Sequence, residues 1–216
     1  MQGMIKAIAF DFDGVIVDSN RLKYDAWFRL FPESEGISVE LVKNVLSRIK
    51  QTRYDILREI FTQAGRTPQE AGNKVTEYAE RYNTLVQEAI AAGGLIEGVQ
   101  EGLAVLSPHY ALYINSATPE EALRQAVARA RIDPLIKIAY GTPATKEENL
   151  TSIMRKENIS KNEIIMVGDG ENDYHAAQAI GCFFIGVSNE SNNWTDTQFP
   201  LVTDLRQIEN VIARNC

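Results

Sequence analysis

The apolar residues of this chain follow two different patterns in succession. Residues 5–10 form a short apolar run that ends in Asp-Phe-Asp-Gly, which predicts a buried strand with carboxylates at its carboxyl end. The segments 20–31, 39–49, 54–64 and 69–92 instead carry apolar positions at helical spacing, with glycines and prolines between them. No strand pattern interrupts this stretch, so we expect an all-helical unit directly after the first strand.

Beyond Gly93-Gly94 the pattern changes to a regular alternation of predicted strands and predicted helices. The strands fall at 110–115, 136–140, 163–167, 183–187 and 200–202, and the helices at 99–106, 119–130, 146–158, 171–180 and 205–214. Such alternation is typical of a parallel sheet that helices cover on both faces.

Together the two patterns predict an α/β fold with a Rossmann-like parallel sheet. Residues 1–17 and 95–216 are expected to form this core, and residues 18–94 to form a helical domain inserted after the first strand. The length of 216 residues agrees with one or two domains, since a domain usually has about 100–200 residues.

Composition narrows the class of partner. Acidic residues outnumber basic ones by 29 to 22, for a net charge of −7, which argues against a nucleic-acid or anionic-membrane partner. No apolar run reaches the ~18 residues needed to span a bilayer, and acidic residues follow the first apolar run too soon for a signal peptide. Cys182 and Cys216 suit neither a disulfide framework nor a metal site. We therefore expect a cytoplasmic protein, either a monomer or a weak homodimer.

Candidate chemistry gathers at the carboxyl ends of the predicted strands, where ligands bind in parallel α/β sheets. Asp11 and Asp13 follow the first strand, Ser116 follows another, and Asp169 and Asp173 follow a third. Carboxylates at one sheet edge repel each other, and a hard divalent cation, above all Mg²⁺, relieves that repulsion. Because Mg²⁺ keeps coordination positions for water and phosphate oxygens, the pattern predicts a phosphate-bearing ligand.

Four of these residues also have a purely structural interpretation. Asp11 and Asp13 could cap a turn, Asp169 could start a helix, and Ser116 could be a helix N-cap before Pro119. The ordered combination of D-x-D-G and G-D-x-x-x-D, each at a strand end, favours the functional interpretation.

The sequence DFDGVIVDS at 11–19, Ser116, a later lysine and GDGEND at 168–173 resemble the haloacid dehalogenase (HAD) superfamily, in order and over nearly the whole chain. The helical insertion resembles its C1-cap subgroup, which includes phosphoglycolate phosphatases and β-phosphoglucomutases. By this resemblance Asp11 is the nucleophile and Asp13 the general acid and base. The implied Mg²⁺ site consists of Asp11, Asp13 through its backbone carbonyl, Asp169, and Asp173, which lies outside the direct ligands or reaches the metal through water. The implied substrate contacts are Arg53, Ser116, Ala117 and Gly14.

The chain departs from the family pattern at the lysine motif. Many members of the subgroup have Gly-Lys-Pro, where this chain has Gly141-Thr142-Pro143. Lys146, at the start of a predicted helix, is the preferred substitute, because a cation there would neutralise Asp11 and the transferring phosphoryl group. Lys137 is the alternative.

The resemblance implies a Mg²⁺-dependent phosphatase that hydrolyses a small phosphorylated metabolite through an aspartyl-phosphate. Asp13 favours phosphate-ester chemistry, because a departing halide needs no proton. A phosphosugar mutase is the alternative within enzymes, but Lys23 stands where the mutase branch carries a histidine. A catalytically inactive binding protein on the same fold is a further alternative, and the full set of charged residues speaks against it.

Overall fold

The computed structural model describes residues 4–49, 52–91, 94–189, 192, 194–195 and 197–215. The chain divides into two compact units, one made of Met1–Asn20 with Ile90–Cys216 and the other of Arg21–Ala89. Gly93 and Cys216, which the sequence analysis singled out, lie outside the described residues. The roles of the two units as a catalytic core and a cap stay predictions.

The larger unit contains a six-stranded sheet in which every neighbouring pair of strands is parallel. Its strands are β1 (Ala7–Phe10), β2 (Ala111–Pro119), β3 (Ile138–Thr142), β4 (Ile164–Gly168), β5 (Phe183–Val187) and β6 (Leu201–Val202). They lie in the order β3-β2-β1-β4-β5-β6. The predicted α/β fold is therefore confirmed.

The α-helices in the described part of the chain have the following bounds. They are α1 (Ser19–Arg29), α2 (Val39–Arg48), α3 (Arg53–Gln63), α4 (Pro68–Ala91), α5 (Val99–Leu106), α6 (Glu120–Arg129), α7 (Lys146–Glu157), α8 (Glu171–Ile180) and α9 (Ile208–Asn215). Among the described residues, no helix combines the length and the apolar character that a membrane span requires.

The centre of the sheet positions the site. All residues of β1 and β4 are buried, as expected for central strands covered on both faces. Phe10, the last residue of β1, pairs with Ile114 in β2 and with Val167 in β4. The residues that follow these three points therefore meet at one edge of the sheet.

The second strand of the core is longer than the sequence predicts. We expected a strand at 110–115, but β2 continues to Pro119, which pairs with Thr142 after a register shift against β3. Ser116 is thus part of the strand. Its interpretation as a helix N-cap is wrong, because Pro119 occupies the N-cap position of α6.

The smaller unit is helical and has its own core. Phe31 stacks on Tyr78 with ring centroids 5.4 Å apart, and Phe61 meets Tyr78 edge-on. Glu35 accepts hydrogen bonds from Lys74 and Tyr78. These contacts join the segment after α1 to α3 and α4.

Candidate active site

Asp11 directly follows β1 and is held by the backbone around it. Its backbone N–H donates to the carbonyl of Val167 at 2.8 Å, which ties it to the end of β4. Its carboxylate oxygen Oδ1 accepts a hydrogen bond from the backbone N–H of Phe12, also at 2.8 Å. Only 8% of Asp11 is exposed. The carboxylate is therefore fixed at the sheet edge and largely removed from water.

Two further carboxylates lie beside Asp11. Asp11, Asp169 and Asp173 each offer an oxygen, and these oxygens all lie within 4.8 Å of one another. Asp169 follows β4, and Asp173 lies in the first turn of α8, where its Oδ2 accepts from the N–H of Gly170 at 3.1 Å. We call Asp11, Asp169 and Asp173 the acidic cluster.

Gly14 lies against this cluster. Its φ is +78°, a conformation that glycine adopts without strain. A Cβ at this position would collide with the carboxylate of Asp169. The close approach of the Asp11–Gly14 turn to Asp169 therefore requires glycine. The predicted contact of Gly14 with substrate stays a prediction.

Lys146 is the cation of the site. It is the first residue of α7, whose N-terminus is set by a reciprocal pair of hydrogen bonds between Thr145 and Glu148. Its Nζ lies 3.0 Å from Asp11 Oδ1 and also pairs with Asp173. Lys137, the alternative, pairs with Glu157 at 2.9 Å and has a half-exposed side chain. Of these two lysines, the fold brings Lys146 to Asp11.

Burial sets the electrostatics of the acidic cluster. It raises the pKa of Asp11 to about 7, repulsion from Asp173 adds to the rise, and Lys146 opposes it. Burial is also the main cause of the raised pKa values of Asp169 and Asp173. For Lys146, burial alone would lower the pKa, but Asp11 and Asp173 outweigh it and the pKa is raised.

The acidic cluster suits a hard divalent cation. Three carboxylates face one lysine, so ionisation of all three leaves uncompensated negative charge in a buried place. All the donors are carboxylate oxygens, the ligand type that Mg²⁺ prefers. Within the described residues the side chain of Asp13 is not part of this cluster, so its predicted metal contact through the backbone carbonyl stays a prediction.

The raised pKa of Asp11 predicts how stability changes with pH in the metal-free protein. The folded chain holds the Asp11 proton up to about pH 7, whereas the unfolded chain releases it near the ordinary value of 3.8. Folding is thus favoured at low pH, and this contribution is lost as the pH rises from 3.8 to about 7. At pH 8 in EDTA, Asp11→Asn should have the larger free energy of unfolding, by on the order of 1–3 kcal/mol.

Urea unfolding of the wild type and Asp11→Asn across this pH range checks the expectation. Asp133→Asn, an exposed aspartate outside the cluster, is the matched control and should follow the wild type. Equal unfolding free energies for the wild type and Asp11→Asn at pH 8 would contradict the expectation that an ionised, buried Asp11 destabilises the folded protein.

The remaining predicted residues lie in different surroundings. Asp13 Oδ2 accepts a hydrogen bond from Thr118 Oγ1 at 3.1 Å. Ser116 is buried in β2, and its Oγ accepts from the N–H of Thr118 at 3.1 Å. Ala117 is exposed. Arg53 begins α3 in the smaller unit, where its guanidinium donates to Asn83.

The sequence did not assign roles to several polar residues beside the site. Thr118 holds Asp13, and buried Asn115 donates to the backbone carbonyl of Lys146 at 3.0 Å. Asn149 in turn donates to Asn115 Oδ1 at 2.9 Å. Asn189 donates to Asp169. The signal for Asn115 was a polar side chain at the end of an apolar strand, whereas Thr118 and Asn189 stand in segments without any periodicity.

Comparisons with known proteins show which family this chain resembles. A profile of the family described as haloacid dehalogenase-like hydrolase matches residues 8–187. The phosphoglycolate phosphatase of Photorhabdus laumondii subsp. laumondii is 28% identical over 193 residues, which cover 85% of this chain and 80% of that protein.

Solved structures share the fold. A candidate β-phosphoglucomutase from Thermotoga maritima has a TM-score of 0.74 at 16% identity, over 98% of this chain and 100% of that chain. A candidate HAD hydrolase from Bacillus subtilis, crystallised bound to magnesium, has a TM-score of 0.71 at 16% identity, over 97% and 99% of the two chains. At these identities the two structures bear on the fold alone.

Proposed function

This chain belongs to the haloacid dehalogenase-like hydrolase family, and from that premise we propose that it is a Mg²⁺-dependent phosphatase of a small phosphorylated metabolite. The observation that carries the proposal is the pairing of Lys146 with Asp11 at 3.0 Å, inside a buried cluster that also holds Asp169 and Asp173. The similarity to a phosphoglycolate phosphatase supports the same reaction class.

In the proposed reaction Asp11 is the nucleophile. A carboxylate oxygen of Asp11 forms a bond to the phosphorus of the ester, and the bond from phosphorus to the alcohol oxygen breaks. Lys146 holds the Asp11 carboxylate and offsets negative charge on the phosphoryl oxygens. The product of this first step is an aspartyl-phosphate and a free alcohol.

Asp13 transfers a proton in both steps. It protonates the leaving alcohol oxygen, and it then takes a proton from the water that attacks the phosphorus of the aspartyl-phosphate. That attack releases orthophosphate and restores the Asp11 carboxylate. The hydrogen bond from Thr118 Oγ1 to Asp13 Oδ2 restricts the orientation of this side chain.

Asp11, Asp169 and Asp173 are the side chains that would hold Mg²⁺. When bound, this cation supplies positive charge that lowers the repulsion between an anionic phosphate ester and the anionic nucleophile. The need is large here, because the chain carries a net charge of −7.

We further propose that the helical unit, residues 18–94, is a cap that selects the substrate. A cavity of about 300 Å³ in this unit is lined by Lys23, Tyr24, Trp27, Lys43, Leu46 and Ser47. The similarity to a phosphoglycolate phosphatase makes carboxylated phosphate esters the first substrates to test. Arg53 in the same unit stays a predicted substrate contact.

Orthophosphate release from a panel of phosphate esters tests the proposed function. The panel pairs carboxylated esters, phosphoglycolate first, with neutral sugar phosphates and nucleotides, each with Mg²⁺ and with EDTA. We expect release that needs Mg²⁺ and is fastest with a carboxylated ester. Folded protein that releases no phosphate from any ester would overturn the hydrolase, and isomerised sugar phosphates in the same samples would favour the mutase.

A further inference from the structure

Asp169 is held by an asparagine that follows β5. The side-chain amide of Asn189 donates to Asp169 Oδ2 at 2.8 Å. The same Nδ2 donates to the backbone carbonyl of Gly14 at 3.2 Å. One amide group therefore connects the segment after β5 to the end of β4 and to the turn after β1.

A second asparagine, Asn192, holds the backbone of Asp169. Asn192 Nδ2 donates to the carbonyl of Asp169 at 3.1 Å and to the carbonyl of Val187 at 2.8 Å. Asn192 Oδ1 accepts from the backbone N–H of Asn189 at 3.3 Å. The two side chains thus fix both the carboxylate and the main chain of Asp169.

Aromatic residues in the segment that follows β5 pack against the sheet, and these contacts do not involve the asparagines. A Cβ on Gly186 would collide with the indole of Trp194, so the ring lies directly on β5. Trp194 also meets Phe184 and Phe199, with ring centroids 5.7 and 4.8 Å apart. Because these contacts do not involve Asp169, loss of the Asn189 amide should leave the segment packed.

An amide N–H that donates to one carboxylate oxygen restricts rotation of that carboxylate without binding a cation itself. A metal site gains affinity when its ligands are held in this way, because less freedom is lost on binding. Asp169 shares its cluster with Asp11 and Asp173, which repel it. Without the Asn189 amide, the Asp169 carboxylate would lose the side-chain donor that opposes rotation away from them.

We propose that Asn189, supported by Asn192, is a positioning residue that holds the Asp169 carboxylate ready to bind the divalent cation. This inference rests on the proposed function, because it assumes a metal at the acidic cluster. Asn189 and Asn192 lie outside the sequence motifs that indicated the site.

Calorimetric titration with Mg²⁺ alone tests the inference. Asn189→Leu keeps the approximate shape and removes the donor, and its Kd for Mg²⁺ should rise roughly 10- to 100-fold. Asn189→His, which can donate from a ring nitrogen, should recover part of the affinity. Asn162→Leu, an exposed asparagine of the same unit, is the matched control and should bind as the wild type does.

Two further measurements separate positioning from a general structural role. In EDTA the melting temperature of Asn189→Leu should fall by no more than about 8 °C, the shift expected for the loss of the two hydrogen bonds that Asn189 Nδ2 donates, in a chain of this size. With a hydrolysed ester, and at a temperature at which the variant is fully folded in EDTA, its kcat should return toward the wild-type value as the Mg²⁺ concentration rises, so that the loss reflects metal binding and not folding.

The outcomes distinguish the inference from the function on which it rests. Unchanged Mg²⁺ affinity in Asn189→Leu, with Mg²⁺-dependent hydrolysis by the wild type, would overturn the inference alone. Wild-type protein that binds no Mg²⁺ and is indifferent to EDTA would overturn both. Unfolding of both Asn189 variants in EDTA would show a structural role and would also overturn the inference.

Discussion

Asp11→Asn will lower the rate of phosphate release by about 10⁴-fold or more, because an amide is a poor nucleophile and the aspartyl-phosphate cannot form. The change removes one negative charge and keeps the size of the side chain. Lys146 retains its other partner, Asp173, so the fold should persist. Release of orthophosphate from the best ester of the panel, at saturating Mg²⁺, is the measurement.

The control for this variant is Asp133→Asn, an exposed change outside the acidic cluster, which should match the wild type. Mass spectrometry of rapidly acid-quenched wild-type enzyme should show phosphorylation on Asp11, and the Asp11→Asn protein should remain unmodified. A variant that keeps a tenth or more of the wild-type rate would refute the nucleophile assignment.

Asp13→Asn will separate the two steps of the reaction. With an alkyl phosphate, turnover should fall by roughly 10²- to 10⁴-fold, the usual contribution of a general acid or base. With p-nitrophenyl phosphate the first step needs no protonation, so one equivalent of nitrophenol should appear rapidly and hydrolysis should then stall. Stopped-flow absorbance measures the burst, and the stalled enzyme should carry the phosphoryl group on Asp11.

Thr118→Val provides an intermediate case, because it keeps Asp13 and removes the hydroxyl that donates to it. Its turnover should lie between those of Asp13→Asn and the wild type. Equal losses for both classes of ester in Asp13→Asn, with no phosphorylated enzyme, would show that Asp13 does not transfer the proton.

The Asp11→Asn and Asp13→Asn variants bear on the two alternative functions. An inactive binding protein on this fold would show neither the loss in Asp11→Asn nor the burst in Asp13→Asn. A phosphosugar mutase would form the same aspartyl-phosphate but return the phosphoryl group to a second hydroxyl. Orthophosphate accumulation against isomerised sugar phosphate is therefore the measurement that separates hydrolysis from transfer.

Local sequence determined the fold class and the main parts of the site. Central parallel strands are buried on both faces and appear as short apolar runs, so β1 and β4 could be found without a structure. Carboxylates directly after such runs must lie at the sheet edge, which placed Asp11 and Asp169 together. The helical spacing of residues 20–92 was equally local, and it predicted a separate unit.

Only the tertiary structure decided which groups hold these carboxylates. Lys146 and Lys137 were both available in the sequence, and the packing of α7 brings Lys146 to Asp11 while Lys137 pairs with Glu157. The extension of β2 depends on pairing with β3, and it brings Thr118 to Asp13. Asn189 reaches Asp169 because β5 lies beside β4. Each contact joins distant parts of the chain, and the order of strands that creates it leaves no trace in hydrophobic periodicity.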